Sequence, residues 1–233
     1  MPHWTEISEK RSAVAEIKFL VPLSGADAIR DWARARLSRD PYGEGPCGDT
    51  YRTTSLYLDT DAFDVLNRRG SYGRSKYRVR RYGESDLVFL ERKLKKADQV
   101  SKRRSTVALD ALPRLESTEP ERHWAGSWFH RRVLARELHV VCEVSYRRMA
   151  LLGAEIRLTL DDELRVRPAS RFAFSERTES EAFLEEYAVL ELKYRSELPA
   201  VFRELIDSFG LAPVPVSKYR CAMAESEVHV QHA

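Results

Sequence analysis

Ser71-Tyr72-Gly73-Arg74-Ser75-Lys76-Tyr77-Arg78-Val79-Arg80-Arg81-Tyr82 is followed, across Gly83-Glu84-Ser85-Asp86, by Leu87-Val88-Phe89-Leu90-Glu91-Arg92-Lys93-Leu94-Lys95. Both runs are rich in strand formers, and the four residues between them are a good hairpin turn. In a strand, alternate residues face the same side. The first run therefore sets Lys76, Arg78 and Arg80 against Tyr77 and Val79. The second sets Glu91, Lys93 and Lys95 against Val88, Leu90 and Leu94. Each strand has one apolar face and one face of ionised groups.

The same alternation recurs along the chain. Ala13–Val21 places Glu16 and Lys18 opposite Ala15, Ile17, Phe19 and Val21. Arg157, Thr159 and Asp161 alternate with Ile156, Leu158 and Leu160, and Glu191 and Lys193 with Leu190 and Leu192. One such strand is most simply half-solvated. Five together, with Arg and Lys at successive positions and single Glu residues between them, are costly, because like charges on neighbouring positions repel. A closed sheet would turn these faces inward, where the cations must meet water, carboxylates or a polyanion. Arg gives bidentate donors to phosphate oxygens and Lys a compact charge, so a phosphate chain suits the lining. A triphosphate also calls for a hard divalent cation, for which Glu16, Glu91 and Glu191 are carboxylate candidates.

The remaining elements fill out the class. Ser24 reads as the N-cap of a helix running to about Arg39, and Pro41–Gly48 as a loop. Tyr51–Asp59 is a strand, Lys96–Arg104 begins as a basic loop, and Pro113–Glu137 suits one or two helices. Leu138–Leu152 and Ile156–Leu160 are strands around Gly153-Ala154-Glu155. Leu164–Arg167 is a short strand and Tyr187–Tyr194 another. Pro199–Phe209 is a helix that stops at Gly210. Pro213–Val216 is extended, and Ser217 caps a final helix to about Glu227. Roughly eight strands with three or four helices give α+β, with an antiparallel eight-stranded β-barrel tunnel and peripheral helices as the expected architecture.

With 233 residues and 43% hydrophobic content, one core is expected. The reading is a single domain over 13–227, with tails at 1–12 and 228–233. Cys47, Cys142 and Cys221 are odd in number and far apart, which argues against a disulfide framework or a zinc site. Met1–Ser12 lacks the apolar core of a signal peptide, and no apolar run reaches membrane-spanning length, so a cytoplasmic protein is expected. None of the six histidines has metal-ligand spacing. Asp161-Asp162-Glu163 reads as a solvated turn rather than a metal cluster, and Asp59 as closing the turn that follows it. Arg81 and Arg92 fall on the face opposite the basic row.

Taken in order, these motifs resemble one family. Glu16-Ile17-Lys18-Phe19, Ser55-Leu56-Tyr57-Leu58-Asp59, Lys76–Tyr82, Phe89–Lys93 and Lys102-Arg103-Arg104 are similar to the catalytic domain of the vacuolar transporter chaperone (VTC) family. So are Tyr146-Arg147-Arg148, Arg157–Asp161, Glu191-Leu192-Lys193 and Ser217-Lys218-Tyr219. That family is a branch of the triphosphate tunnel metalloenzymes, akin to CYTH proteins. The resemblance implies a polyphosphate polymerase that transfers the γ-phosphate of ATP to a growing chain with Mn²⁺ or Mg²⁺. It implies phosphate contacts from Arg78, Arg80, Lys93, Arg103, Tyr146, Arg148, Arg157, Ser217 and Lys218, with Lys18, Lys76 and Lys193 on the same basic faces. Lys218, Arg78 and Arg80 would act at the reacting phosphate. Glu191 would hold the metal, with Glu16 as a second ligand or as an ion-pair partner of Lys18. The wider CYTH pattern has two alternating glutamates before the lysine, and the first of these positions here is Val14, which fits the VTC branch. Nothing in the sequence resembles that family's regulatory inositol-phosphate domain or membrane segment, so coupling to translocation would take a separate membrane protein partner.

A chain-end phosphate is already an anion and needs no strong base, which agrees with the absence of a His–carboxylate pair. Three other readings use the same residues: a triphosphatase with water as nucleophile, a non-catalytic polyphosphate-binding module, and a nucleic-acid binder. The last is disfavoured, because the basic residues alternate on strands instead of forming an exposed stripe with stacking aromatics.

Overall fold

The computed structural model describes residues 14–96, 99–177, 179–195 and 197–225. The elements are β1 (Val14–Pro22), α1 (Leu23–Arg34), β2 (Ser38–Arg39), β3 (Thr50–Asp59), a 3-10 helix (Gly70–Arg74), β4 (Ser75–Tyr82), β5 (Leu87–Lys96), β6 (Gln99–Ala108) and a second 3-10 helix (Leu109–Glu116). They continue with α2 (Ser127–Ala135), β7 (His139–Leu152), β8 (Ile156–Pro168), β9 (Glu181–Ala182), β10 (Tyr187–Arg195), α3 (Ala200–Ser208) and α4 (Lys218–Glu225). Strands hydrogen bond in the order β1-β10-β8-β7-β3-β4-β5-β6, with β2 on β7 and β9 on β8. Eight strands thus make the main path and two short ones are added; the expected number is met, but Leu164–Arg167 continues β8 instead of forming a strand of its own, and β6 takes its place in the count. Among the described residues the order ends at β1 and β6.

Contacts divide the chain into two compact units within the span read as one domain. The first takes its described residues from 14–52, 146–164 and 184–221, the second from 53–145, 165–183 and 222–225. The expected tails at 1–12 and 228–233 lie outside the described residues.

In the first unit, β1, β10 and β8 pair with Phe19 opposite Leu190 and Leu190 opposite Leu160. Ile17, Leu192 and Leu158 form the next row. This apolar face is covered by Ala26, Ile29 and Ala33 of α1 and by Phe202 and Leu205 of α3, all essentially inaccessible. Ile29, Phe202 and Leu205 each contribute about 1.5–3 kcal/mol of burial free energy, and the alanines less. The other face carries Glu16, Lys193 and Arg157 in one row and Lys18, Glu191 and Thr159 in the next.

In the second unit, Leu56, Val79 and Leu90 form a buried row across β3, β4 and β5. Tyr77, on the same face, meets Phe129 of α2 edge-on at 6.1 Å. Gly83 turns the β4–β5 hairpin at φ 51°, a conformation that a residue with a Cβ resists. Asp59 closes the turn after β3, as expected: its carboxylate accepts from the amides of Thr60, Val65 and Leu66, each at 2.8 Å.

Several boundaries differ from the sequence reading. Helix α1 begins at Leu23 with Pro22 at the N-cap and no side-chain cap, so Ser24 lies inside it. Proline needs no donor at that position and presets φ. The helix ends at Arg34, and Ser38–Arg39 pair with β7 instead. Ser71–Arg74 form a 3-10 turn, so β4 starts at Ser75. The basic segment read as a loop is largely strand β6, in full register with β5. Asp161 and Asp162 are not a solvated turn: both are buried within β8, which continues past Glu163 at φ 49° to Pro168.

Candidate functional site

The charged face of the first unit is a chain of ion pairs. Lys18 Nζ lies 3.2 Å from both Glu16 Oε1 and Glu191 Oε2. Lys193 Nζ is 2.5 Å from Glu191 and 3.6 Å from Glu16. Antiparallel pairing creates this square, because Glu16 faces Lys193 while Lys18 faces Glu191. Burial works against the Lys18 ammonium, but Glu191 and Glu16 outweigh it, and its pKa sits above the ordinary lysine value. The extended segment before α4 runs beside β1, with the Val214 amide donating to Lys18 O at 2.8 Å. That contact fixes where Ser217 and Lys218 enter.

Further along the same unit, Arg148 donates to both oxygens of Asp161, at 2.6 and 2.7 Å. Lys218 Nζ, from the first residue of α4, is 2.6 Å from Asp161 Oδ2. Both cations lie over the buried Tyr146 ring, at 5.2 Å for Arg148 and 4.8 Å for Lys218. Burial would raise the Asp161 pKa, but Arg148 and Lys218 hold it down at about 2. The Ser217 carbonyl accepts from the Cys221 amide at 2.9 Å, which makes Ser217 the residue that opens α4. Arg157 donates to Asp40 and to the Tyr51 hydroxyl, both at 2.9 Å.

The charged face of the second unit is built differently. Glu91 is 2% exposed and sits among three cations: Arg78 at 2.7 Å, Lys102 at 2.6 Å and Arg104 at 2.6 Å. Burial would raise its pKa, but Arg78, Lys102, Arg80 and Arg104 hold it well below the carboxylate range. Register explains the cluster, since Arg78, Glu91 and Arg104 are cross-strand partners, and Lys76, Lys93 and Lys102 form the adjacent row. Arg80 is buried on the same face, donating to Ser55 Oγ at 3.1 Å. Arg104 also donates to the Tyr82 hydroxyl at 3.0 Å. Burial raises the Tyr82 phenol, yet Arg80, Arg104 and Lys102 carry it below its ordinary value. Burial lowers Lys102 to about 8 against the pull of Glu91.

The predicted residues therefore fall into two groups. Glu16, Lys18, Tyr146, Arg148, Arg157, Glu191, Lys193, Ser217 and Lys218 belong to the first unit. Lys76, Arg78, Arg80 and Lys93 share the charged face of the second. Arg103 lies elsewhere: it pairs with Arg92 on the opposite face and stacks on Trp128 at 4.3 Å. Three residues of the clusters were missed. Lys102 and Arg104 occupy the cluster positions on β6, and Asp161 joins Arg148 to Lys218. The alternation of Arg157, Thr159 and Asp161 already pointed to Asp161. Metal-ligating side chains are sparse: no group of three or more His, Cys, Asp or Glu is placed to hold an ion among the described residues.

A family model described as the VTC domain matches residues 13–226. The chain belongs to the VTC domain family. Its fold is shared with triphosphate tunnel proteins. A Bacillus halodurans protein named as a candidate adenylate cyclase superposes with a TM-score of 0.58 at 18% identity, covering 88% of this chain and 94% of that one. A Hippeastrum protein named as a candidate adenylyl cyclase, and described as having a dominant triphosphatase activity, gives a TM-score of 0.54 at 15% identity, covering 92% and 96%. The PH1012 protein of Pyrococcus horikoshii gives 0.50 at 13% identity, covering 89% and 98%. No curated protein matches the sequence. No helix among the described residues of this VTC domain is long and apolar enough to cross a membrane.

Proposed function

We propose that this VTC domain is a polyphosphate polymerase that transfers the γ-phosphoryl group of ATP to the end of an inorganic polyphosphate chain. The observation that carries the reading is the family match over strand faces whose few carboxylates are each held by several cations. Such faces suit a substrate that brings many negative charges of its own.

In this reading Arg78, Arg80, Arg104 and the lysines of the adjacent row bind phosphate oxygens and oppose the repulsion between successive phosphates. Lys218 and Arg148, steadied by Asp161 and Tyr146, donate to the oxygens of the transferring group. A chain-end oxygen attacks the γ-phosphorus, the bond to the β–γ bridging oxygen breaks, and ADP leaves with that electron pair. Positioning and charge neutralisation do most of the work. Two carboxylates converge on one cation position at Lys18, which fits a hard ion that takes one or two carboxylates and completes its shell with water and phosphate. Glu191 and Glu16 would hold Mn²⁺ or Mg²⁺, and the ion would supply charge neutralisation at the phosphate oxygens.

A triphosphatase is the second reading, favoured by the activity described for the Hippeastrum neighbour. One assay separates the two. The purified protein is incubated with ATP and Mn²⁺, and the products are resolved as polymer on a gel and as free phosphate. Polymer that is lost in Glu191→Gln and Lys218→Ala supports the polymerase. Free phosphate without polymer replaces it with the triphosphatase. Neither product, with ATP or polyphosphate still bound, leaves a binding module.

A further inference from the structure

On the face of the β5–β6 hairpin opposite Glu91, Arg92 and Arg103 stand directly across from one another. Two like charges in facing positions repel, and a sheet normally separates them or sets a carboxylate beside them. Here neither guanidinium has a hydrogen-bond or ion-pair partner among the described residues. The Arg92 Nε atom is buried and unsatisfied. A buried donor without an acceptor costs stability, and more when it is charged. Arg103 is held in place all the same. Its guanidinium lies 4.3 Å from the centroid of Trp128, whose indole N–H is anchored on Ser105 Oγ at 2.7 Å. The pair is thus costly in isolation, fixed on an aromatic base, and accessible through Arg103, which is exposed.

We propose that Arg92 and Arg103 form a second oxyanion site, outside the Glu91 cluster, that takes a phosphate group between the two guanidiniums. Two planar forks borne on facing backbone positions can each present paired N–H donors to a tetrahedral anion, which one ammonium cannot do. The anion would remove the repulsion and satisfy the orphaned Nε–H in one step. That the bound phosphate belongs to a polyphosphate chain rests on the polymerase reading; that the site takes an oxyanion does not. A chain segment held there would be retained by the protein while its end is elsewhere.

The test uses inorganic tripolyphosphate with the wild type, with Arg92→Gln/Arg103→Gln, and with Arg78→Gln/Lys218→Ala. In phosphate-free buffer the Arg92→Gln/Arg103→Gln protein is expected to melt at or above the wild-type temperature, because a repulsion and an orphan donor are gone. In Arg78→Gln/Lys218→Ala, tripolyphosphate is expected to raise Tm and to shift the Nε–H resonances of Arg92 and Arg103. Adding Arg92→Gln and Arg103→Gln to that protein should weaken the remaining affinity at least tenfold. The proposal is overturned if the two Nε–H resonances do not move at saturating tripolyphosphate, or if affinity is unchanged by the Arg92 and Arg103 substitutions. Neither readout depends on polymer formation, so a failure of the polymerase reading leaves this result standing, and the reverse is also true.

Discussion

The charged strand faces of the two units solve the same problem in opposite ways. In the first unit, carboxylates and cations alternate and nearly balance, with Glu16 and Glu191 against Lys18 and Lys193, and Asp161 against Arg148 and Lys218. In the second, the cluster on β4–β6 has one buried carboxylate, Glu91, for Arg78, Lys102 and Arg104, and the neighbouring row is three lysines. A balanced lattice is stable without ligand and offers carboxylates to a metal. A cation-rich one is under electrostatic load until an anion arrives. Under the proposed function, metal retention and fixed positioning would fall to the first unit, and gripping of phosphate to the second.

The largest effect should come from removing Asp161 or Glu91, and the two should differ in what repairs them. Asp161→Asn and Glu91→Gln are each expected to destabilise the fold by about 3–5 kcal/mol, as loss of one partner of a buried ion pair does. Tripolyphosphate should restore the Tm of Glu91→Gln, where it can stand in for the lost negative charge, much more than that of Asp161→Asn. Equal restoration by differential scanning calorimetry would erase the distinction.

Next in size is the acid limb. The folded pKa of Asp161, about 2, lies below the unfolded carboxylate value near 4, so the unfolded chain binds the proton first. Stability from this group is present above pH 4 and is lost as pH falls from about 4 to 2, by about 2–3 kcal/mol. Chemical denaturation across that window should show a shallower acid limb in Asp161→Asn than in wild type. An identical limb would mean that Asp161 does not carry the linkage.

A smaller effect sharpens the second unit. Arg104→Ala should weaken tripolyphosphate binding about tenfold by isothermal titration, on the scale of one charge-assisted contact. Arg114→Ala, which removes an exposed pair with Glu121 at 2.7 Å, should change neither binding nor stability by more than about 0.5 kcal/mol.

Much of this was legible in the sequence because strand alternation is a strict geometric code. Glu16 with Lys18, Arg78 with Arg80, and Glu191 with Lys193 could be placed on one face each from period two alone, and the structure puts them there. The code failed where the pattern was polar on both faces. Strand β6 alternates Lys102, Arg104 and Thr106 with Arg103 and Ser105, so neither face announces itself as apolar, and only the β5 register separates Arg104 from Arg103. Asp161-Asp162-Glu163 failed for another reason. Three acids in a row look solvated, but Asp161 meets Arg148 and Lys218 while Asp162 meets Arg147 and Arg30, so consecutive carboxylates are buried by cations on opposite faces. The Ser24 cap failed because Pro22 can open a helix without a side-chain acceptor.

Mn²⁺ binding, followed by electron paramagnetic resonance in the presence of tripolyphosphate, tests the division between the two units most directly. Glu191→Gln is expected to weaken Mn²⁺ at least tenfold, while Glu91→Gln leaves it within twofold of wild type. The account is contradicted if Glu191→Gln binds Mn²⁺ as the wild type does, or if Glu91→Gln is the variant that loses it.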